Sequence, residues 1–185
     1  AARVSVGSFL ASLDQSLGQE ARSLLTGDLE LISGKPLNVE QEASVAAQLP
    51  GGSQRVDRVS LLTMAASVPQ ARAKAGRSRL VQLSAVGPGY PVVGKLSVVG
   101  PHGQSLGVEH LKGQARAYVQ RDLLTQLNLK LGDPVRVGEK RFILAGLILE
   151  EPGLGAGAFT LGPRMLIGLD QAGAPGLMGF GSKVS

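Results

Sequence analysis

The chain of 185 residues has no cysteine. Disulfides, thiol nucleophiles and thiolate metal sites are therefore excluded, while the compartment stays open. Tryptophan is absent too, and four Phe and two Tyr are the only aromatics. The core must be built from Leu, Val, Ile and Ala, and stacking platforms for single-stranded nucleic acid have almost nothing to be made from. No stretch approaches the ~18 consecutive apolar residues of a bilayer-spanning helix. The opening AARVSVGSFLASL lacks the charged start, apolar centre and small-residue cleavage site of a secretion signal. It also lacks an initiator Met, as expected of a piece of a longer protein.

Acid is scarce in one region. Residues 51–100 carry seven Lys/Arg against one acid, whereas residues 1–50 carry three against six, within a net charge of +5. The excess sits chiefly in ARAKAGRSR, residues 71–79. Such a run reads first as a solvated hairpin turn and second as a contact for an anionic headgroup or partner. The contact reading names Arg72, Lys74, Arg77 and Arg79, with Tyr90 as a nearby aromatic. Duplex DNA recognition would place basic residues along a helix face, and no such face is visible.

What is present is globular: 43% hydrophobic and 18% charged residues. Val6, Leu10, Leu13, Leu17, Ala21 and Leu24 recur at spacings of three and four, which predicts an amphipathic helix over 5–25. LELIS (29–33) alternates like a strand. Asn38 with Gln41 three residues on predicts a capped second helix, closed by Pro50-Gly51-Gly52. Strands are predicted over 56–68 and 79–86, joined by the basic turn. GPGYP (87–91) is expected to be a rigid loop with Gly89 at positive φ and Tyr90 extended before Pro91. Residues 100–114 are expected to form a Gly-rich surface loop. ARAYV (115–119) reads as a strand and RDLLTQL (121–127) as a short helix ended by a left-handed Asn128. PVRV (134–137), a Gly138-Glu139 turn and KRFILAGLILE (140–150) form a strand pair. FTLGPRMLIGLD (159–170) reads as a strand broken at Gly162-Pro163, with Asp170 capping a stub. GSKVS (181–185) begins a further strand. Helix, strand and helix followed by many short strands give an α+β class.

The chemical constellations fail one by one. PGLGAGAF (152–159) has the spacing G-x-G-x-G, and Gly162-Pro163 stands where a phosphate-binding helix would run, so no cofactor site follows. His102 and His110 lie eight apart in the Gly-rich loop beside Glu109, which is not a spacing that sets two metal ligands on one helix face. No G-x-S-x-G elbow is present. The acidic pairs Glu40/Glu42 and Glu150/Glu151 read as solvent-facing or loop-placed. Asp133 in LGDPV reads as a structural turn residue whose carboxylate accepts amides two residues on. No catalytic, cofactor or metal residue is assigned.

Four stretches carry a resemblance in order and spacing: LLTGDLELIS (24–33), LVQLSAVGPGYPVVGKL (80–96), YVQRDLLTQLNLKLGDPVRVGEKRFILAGLILEEP (118–152) and FTLGPRMLIGLDQAGAPGLMGFGSKV (159–184). Together they are similar to the extracytoplasmic core of FtsX-like, MacB-type ABC transporter permeases, and most of all to YbbP-like permeases. The resemblance implies a porter-like half over 1–68, fed by a helix leaving a membrane span. It implies a Sabre-like, mostly-β lobe over 69–182, with 183–185 beginning the strand that returns to the porter lobe. It further implies a periplasmic, non-catalytic domain of a bacterial inner-membrane protein, without cofactor or nucleic acid. Its partners would be a cytoplasmic ABC ATPase acting through the membrane part, a second related periplasmic domain, and a lipid, lipoprotein or hydrophobic compound. Two other readings stay open: a small β-barrel enzyme of double-psi type and a basic nucleic-acid-binding module.

Overall fold

The computed structural model describes residues 38–68, 76–152 and 161–173, with the backbone of 183 and 184. The helix expected over 5–25, the strand expected over 29–33 and most of the 152–159 glycine run lie outside the described residues. So do Arg72 and Lys74.

The first described element is α1 (Val39–Gln48). Asn38 and Gln41 close the expected capping box: the Asn38 Oδ1 accepts from the Gln41 amide at 2.8 Å, and the Gln41 Oε1 accepts from the Asn38 amide at 3.0 Å. None of its residues is buried. Eight strands follow: β1 (Arg58–Ser67), β2 (Ser78–Val86), β3 (Ser97–Val99), β4 (Arg116–Val119), β5 (Pro134–Val137), β6 (Lys140–Glu150), β7 (Arg164–Gly168) and β8 (Lys183–Val184). A second helix, α2 (Arg121–Leu127), lies between β4 and β5 and ends on Asn128 at φ 54°, ψ 50°. The fold is α+β, with strand dominant.

The strand order closes on itself. Beyond β2-β7-β4-β6-β5-β1, strand β1 pairs again with β2, so six strands form a complete ring. Closure leaves those six with no free edge, which removes the usual route to edge-to-edge aggregation. Two of the pairings, β2–β7 and β4–β6, are parallel and the rest antiparallel. β3 adds to the end of β6, and β8 pairs with β1 at Leu61–Val184 and Leu62–Lys183. The boundary expected at residue 68 falls just beyond β1, inside the β1–β2 hairpin.

Period-two alternation decides which side chains enter the ring. Val81, Leu83 and Ala85 of β2, Met165 and Ile167 of β7, Ala117 and Val119 of β4, Val135 and Val137 of β5, and Phe142 and Leu144 of β6 fill the interior. α2 adds Leu123 and Leu127, four apart and thus on one helical face, to the same cluster. The residues between them point outward, and there Tyr118 and Leu166 join a second cluster with Val86, Tyr90, Val98, Leu111 and Ile148. That cluster is covered by the 87–91 loop, β3 and a 3-10 turn at Val108–Leu111.

Several expectations are corrected here. Residues 100–114 are not simply a surface loop: Leu111 is fully buried, and the Tyr118 hydroxyl donates to the Gly107 carbonyl at 2.7 Å. β3, unforeseen in the sequence, packs against β6 where Gly146 leaves room. A Cβ there would stand 2.5 Å from Val98 Cγ1 and 2.9 Å from Tyr118 Cδ1. Asp170 does not cap its own stub; the 3-10 turn Leu169–Gln171 has no side-chain cap, and the Asp170 carboxylate instead accepts from the Gly113 amide at 3.1 Å.

Candidate functional site

Three places gather polar side chains against the barrel. The most enclosed lies where the 87–91 loop meets the end of β6 and the start of β7. Gly89 takes φ 85°, the Tyr90–Pro91 peptide is cis, and the Tyr90 ring is buried. Its hydroxyl donates to Glu151 Oε1 at 3.1 Å, and Arg164 Nη1 stands 3.5 Å from the same oxygen. The side chains of Glu151 and Arg164 are 1% and 11% exposed. Glu151 Oε2 has no hydrogen-bond partner among the described residues. Burial pushes the Glu151 carboxyl above the usual carboxylate range, with the Arg164 and Arg58 charges and the Tyr90 hydroxyl opposing it. Burial first, and the Glu151 charge second, push the Tyr90 phenol up.

This cluster overturns one expectation and narrows another. Tyr90 is 5% exposed and holds an internal carboxylate, so it is not available as an outward partner contact. Glu150 is exposed, while Glu151 is loop-placed just past β6 and buried, so of the two alternatives only the loop placement applies to it. The strand's alternation gives way at Glu150-Glu151-Pro152, and the partner of Glu151 comes from 61 residues away. No local spacing signals such a contact. The only sequence hint is an aromatic hydroxyl in a loop too constrained to be a simple surface turn.

The second place is an open depression of about 420 Å³ on the outer wall. It brings together His102, His110 and Arg116, with Ile143 of β6 at its edge. His110 Nδ1 lies 3.4 Å from Glu109 Oε1. No set of three or more His, Asp or Glu positioned for a metal occurs among the described residues.

The third is the outer face of β2, β1, β5 and β6. Arg77 and Arg79 are exposed at the beginning of this sheet, with the Arg77 amide bonded to Ser67 Oγ at 2.9 Å. Cross-strand register places Ala66 opposite Ser78 and Arg136, and Arg136 opposite Arg141. A shallow groove of about 230 Å³ is lined by Met64, Ala66, Ser78, Arg136 and Gly138. Asp133 sits before β5, where its carboxylate accepts from the Lys130 amide at 2.8 Å and its carbonyl from the Leu144 amide. The bonded amide lies three residues back rather than the expected two ahead.

No protein-family model matches the chain. Among curated proteins it is 29% identical, over 98% of its length, to the uncharacterized ABC transporter permease YbbP of Escherichia coli (strain K12). The chain resembles this ABC transporter permease. That bears out the likeness to YbbP-like permeases read from the sequence. The chain spans about a fifth (20%) of the length of YbbP. Three solved structures are similar in outline. The extracellular domain of the noncanonic ABC-type transporter YknZ from Gram-positive bacteria is 17% identical, with 71% of this chain and 63% of that one covered and a TM-score of 0.47. The periplasmic region of MacB from Actinobacillus actinomycetemcomitans is 13% identical, covering 71% and 55%, with a TM-score of 0.40. A domain of a permease protein from Porphyromonas gingivalis is 12% identical, covering 75% and 60%, with a TM-score of 0.46.

Proposed function

We propose that this chain is an extracytoplasmic domain of an ABC transporter permease subunit and that it performs no catalysis. The observation that carries the reading is the YbbP likeness over 98% of the chain. In this reading the domain is periplasmic, and a separate cytoplasmic ATPase hydrolyses ATP. Movement of the membrane helices is passed to the domain as a rigid-body displacement. The displacement opens and closes it against a second related domain, moving a lipid, lipoprotein or hydrophobic compound or engaging a partner protein.

The proposed division keeps 1–68 and 183–185 as the porter-like part and 69–182 as the Sabre-like lobe. The pairing of β8 with β1 supports it, since the returning strand lies against the strand assigned to the same part. β1 is then the seam, sharing its other edge with β2 of the lobe. A closed barrel at the end of a membrane helix is suited to this task. Its hydrogen bonds run around a ring, so a push on β1 moves the six strands together rather than shearing one away.

The test is made on the full-length protein that carries this chain. It should fractionate with the inner membrane and co-purify in detergent with an ABC ATPase, and deleting residues 58–168 should abolish transport while leaving membrane insertion intact. A full-length protein that stays in the soluble fraction, without a copurifying ATPase, would sink the reading.

One observation favours a second reading, the small-barrel enzyme: the ring is six-stranded and includes parallel pairs. Against it, the barrel interior is filled by aliphatic side chains and one Phe, and His102 and His110 lie on the outer wall.

A further inference from the structure

The outer wall of the barrel is finished in two ways. Over β4, β7 and the ends of β2 and β6 it is covered, but over β1, β5 and the starts of β2 and β6 large apolar residues are left in the open. Met64 is 49% exposed, Leu80 42% and Ile143 44%. Met64 and Leu80 are directly opposite across β1–β2, so they form one ridge on the outer face. Ile143 is opposite Pro134 across β5–β6 and beside Arg116 across β4–β6.

Between these aliphatic points runs positive charge. Arg136 and Arg141 face each other across β5–β6, an arrangement that destabilises an antiparallel pair when nothing neutralises it. Neither forms an ion pair with a carboxylate among the described residues. Arg116 and Ile143 line the 420 Å³ depression further round the ring, apart from this face. Two carboxylates border the face, Glu139 in the β5–β6 turn and Asp133 before β5. The second is engaged with the Lys130 amide.

We infer that the face made by Met64, Leu80, Arg136 and Arg141, on the adjacent strands β2, β1, β5 and β6, docks the barrel onto an anionic lipid surface. The charge selects the occupant. A second copy of the chain would bring arginine against arginine, which disfavours self-association through this face. The two hollows are shallow and open, and neither is a groove that would seat a peptide helix or strand along its length. A planar array of phosphates can meet several arginines at once, and single aliphatic side chains set among them can enter the acyl boundary. The inference goes beyond the transporter reading and does not require it.

The test is flotation of the 185-residue chain with phosphatidylcholine vesicles, with and without phosphatidylglycerol, over a range of salt. Association is expected with the anionic vesicles alone. Arg136→Ser together with Arg141→Ser should weaken it on the order of five-fold per arginine. Met64→Ser with Leu80→Ser should abolish the part of the binding that survives high salt. All four positions are solvent-facing, so thermal melting of both variants should match the parent, which separates a lost surface from a lost fold. Equal flotation with neutral vesicles, no flotation at all, or parental binding by either variant would overturn the inference. So would an acidic polypeptide or duplex DNA that binds where anionic vesicles do not. Flotation of this chain, together with a full-length protein that fails to copurify with an ATPase, would leave the lipid surface in place and remove the transporter.

Discussion

The covered and the bare flanks of one barrel are built from the same alternating strands, yet their outward residues differ in kind. On the covered flank they are Tyr118, Leu166, Val86 and Ile148, all buried beneath the 87–91 loop, β3 and the 3-10 turn. On the bare flank they are Arg136, Arg141, Met64 and Ile143, with nothing among the described residues laid over them. The difference teaches that, among the described residues, the covering irregular segments gather on one side. A barrel this small needs only its interior filled to close, and the outer layer is an addition. The covered side is then a place where stability is concentrated, and the bare side is one where substitutions are tolerated by the fold.

The sharpest way to break that comparison is Tyr118→Ala. It empties a fully buried ring position and strands the Gly107 carbonyl. A loss of about 3–5 kcal/mol is expected in denaturant unfolding. A loss below about 1 kcal/mol would mean that the covering layer is loosely held. Next comes Glu151→Ala, which removes one member of a buried pair and leaves Arg164 and the Tyr90 hydroxyl without that carboxylate. The expected cost is about 3 kcal/mol, read by the same unfolding curve.

The same carboxyl supplies a pH test. Because burial raises the folded pKa of Glu151 above its unfolded value, the folded state binds the extra proton more tightly. Stability from this group is fully present below the ordinary carboxylate pKa and is lost as pH rises through the raised folded value. Glu151→Gln should flatten that part of the stability profile, measured by thermal melting across the weakly acidic range. An unchanged slope would show that the carboxyl is not the group titrating there.

How far these flanks could be read in advance depends on the range of the contacts. The Asn38–Gln41 capping box, the left-handed Asn128, and the β5–β6 hairpin with its Gly138-Glu139 turn were legible because each is decided within a few residues. A strand over 79–86 was legible, but not which partners Val81, Leu83 and Ala85 would meet. Ring closure through β1–β2, the parallel pairing of β2 with β7, and the Tyr90–Glu151 bond join distant residues, and no local period encodes them. Residues 100–114 misled for a related reason. Their glycines signalled a loop correctly, while Leu106, Val108 and Leu111 are scattered with no helical or strand period and show their purpose only once Tyr118 and Leu166 are placed beneath them.

The smallest effect is the one that decides whether the bare flank is truly free of structural duty. Arg136 is exposed, its Nη1 reaches the Gly138 carbonyl at 3.3 Å, and its cross-strand neighbour on β6 is another arginine. Replacing it with threonine removes a like-charge repulsion and introduces a side chain that suits a strand. Arg136→Thr should therefore leave unfolding within about 0.5 kcal/mol of the parent, and on the stabilising side. The gain should shrink as salt is added, because screening already relieves the repulsion in the parent. A clear destabilisation would instead mean that Arg136 holds part of the chain in place. The bare flank would then be a second covered one, and its arginines would serve the fold before any partner.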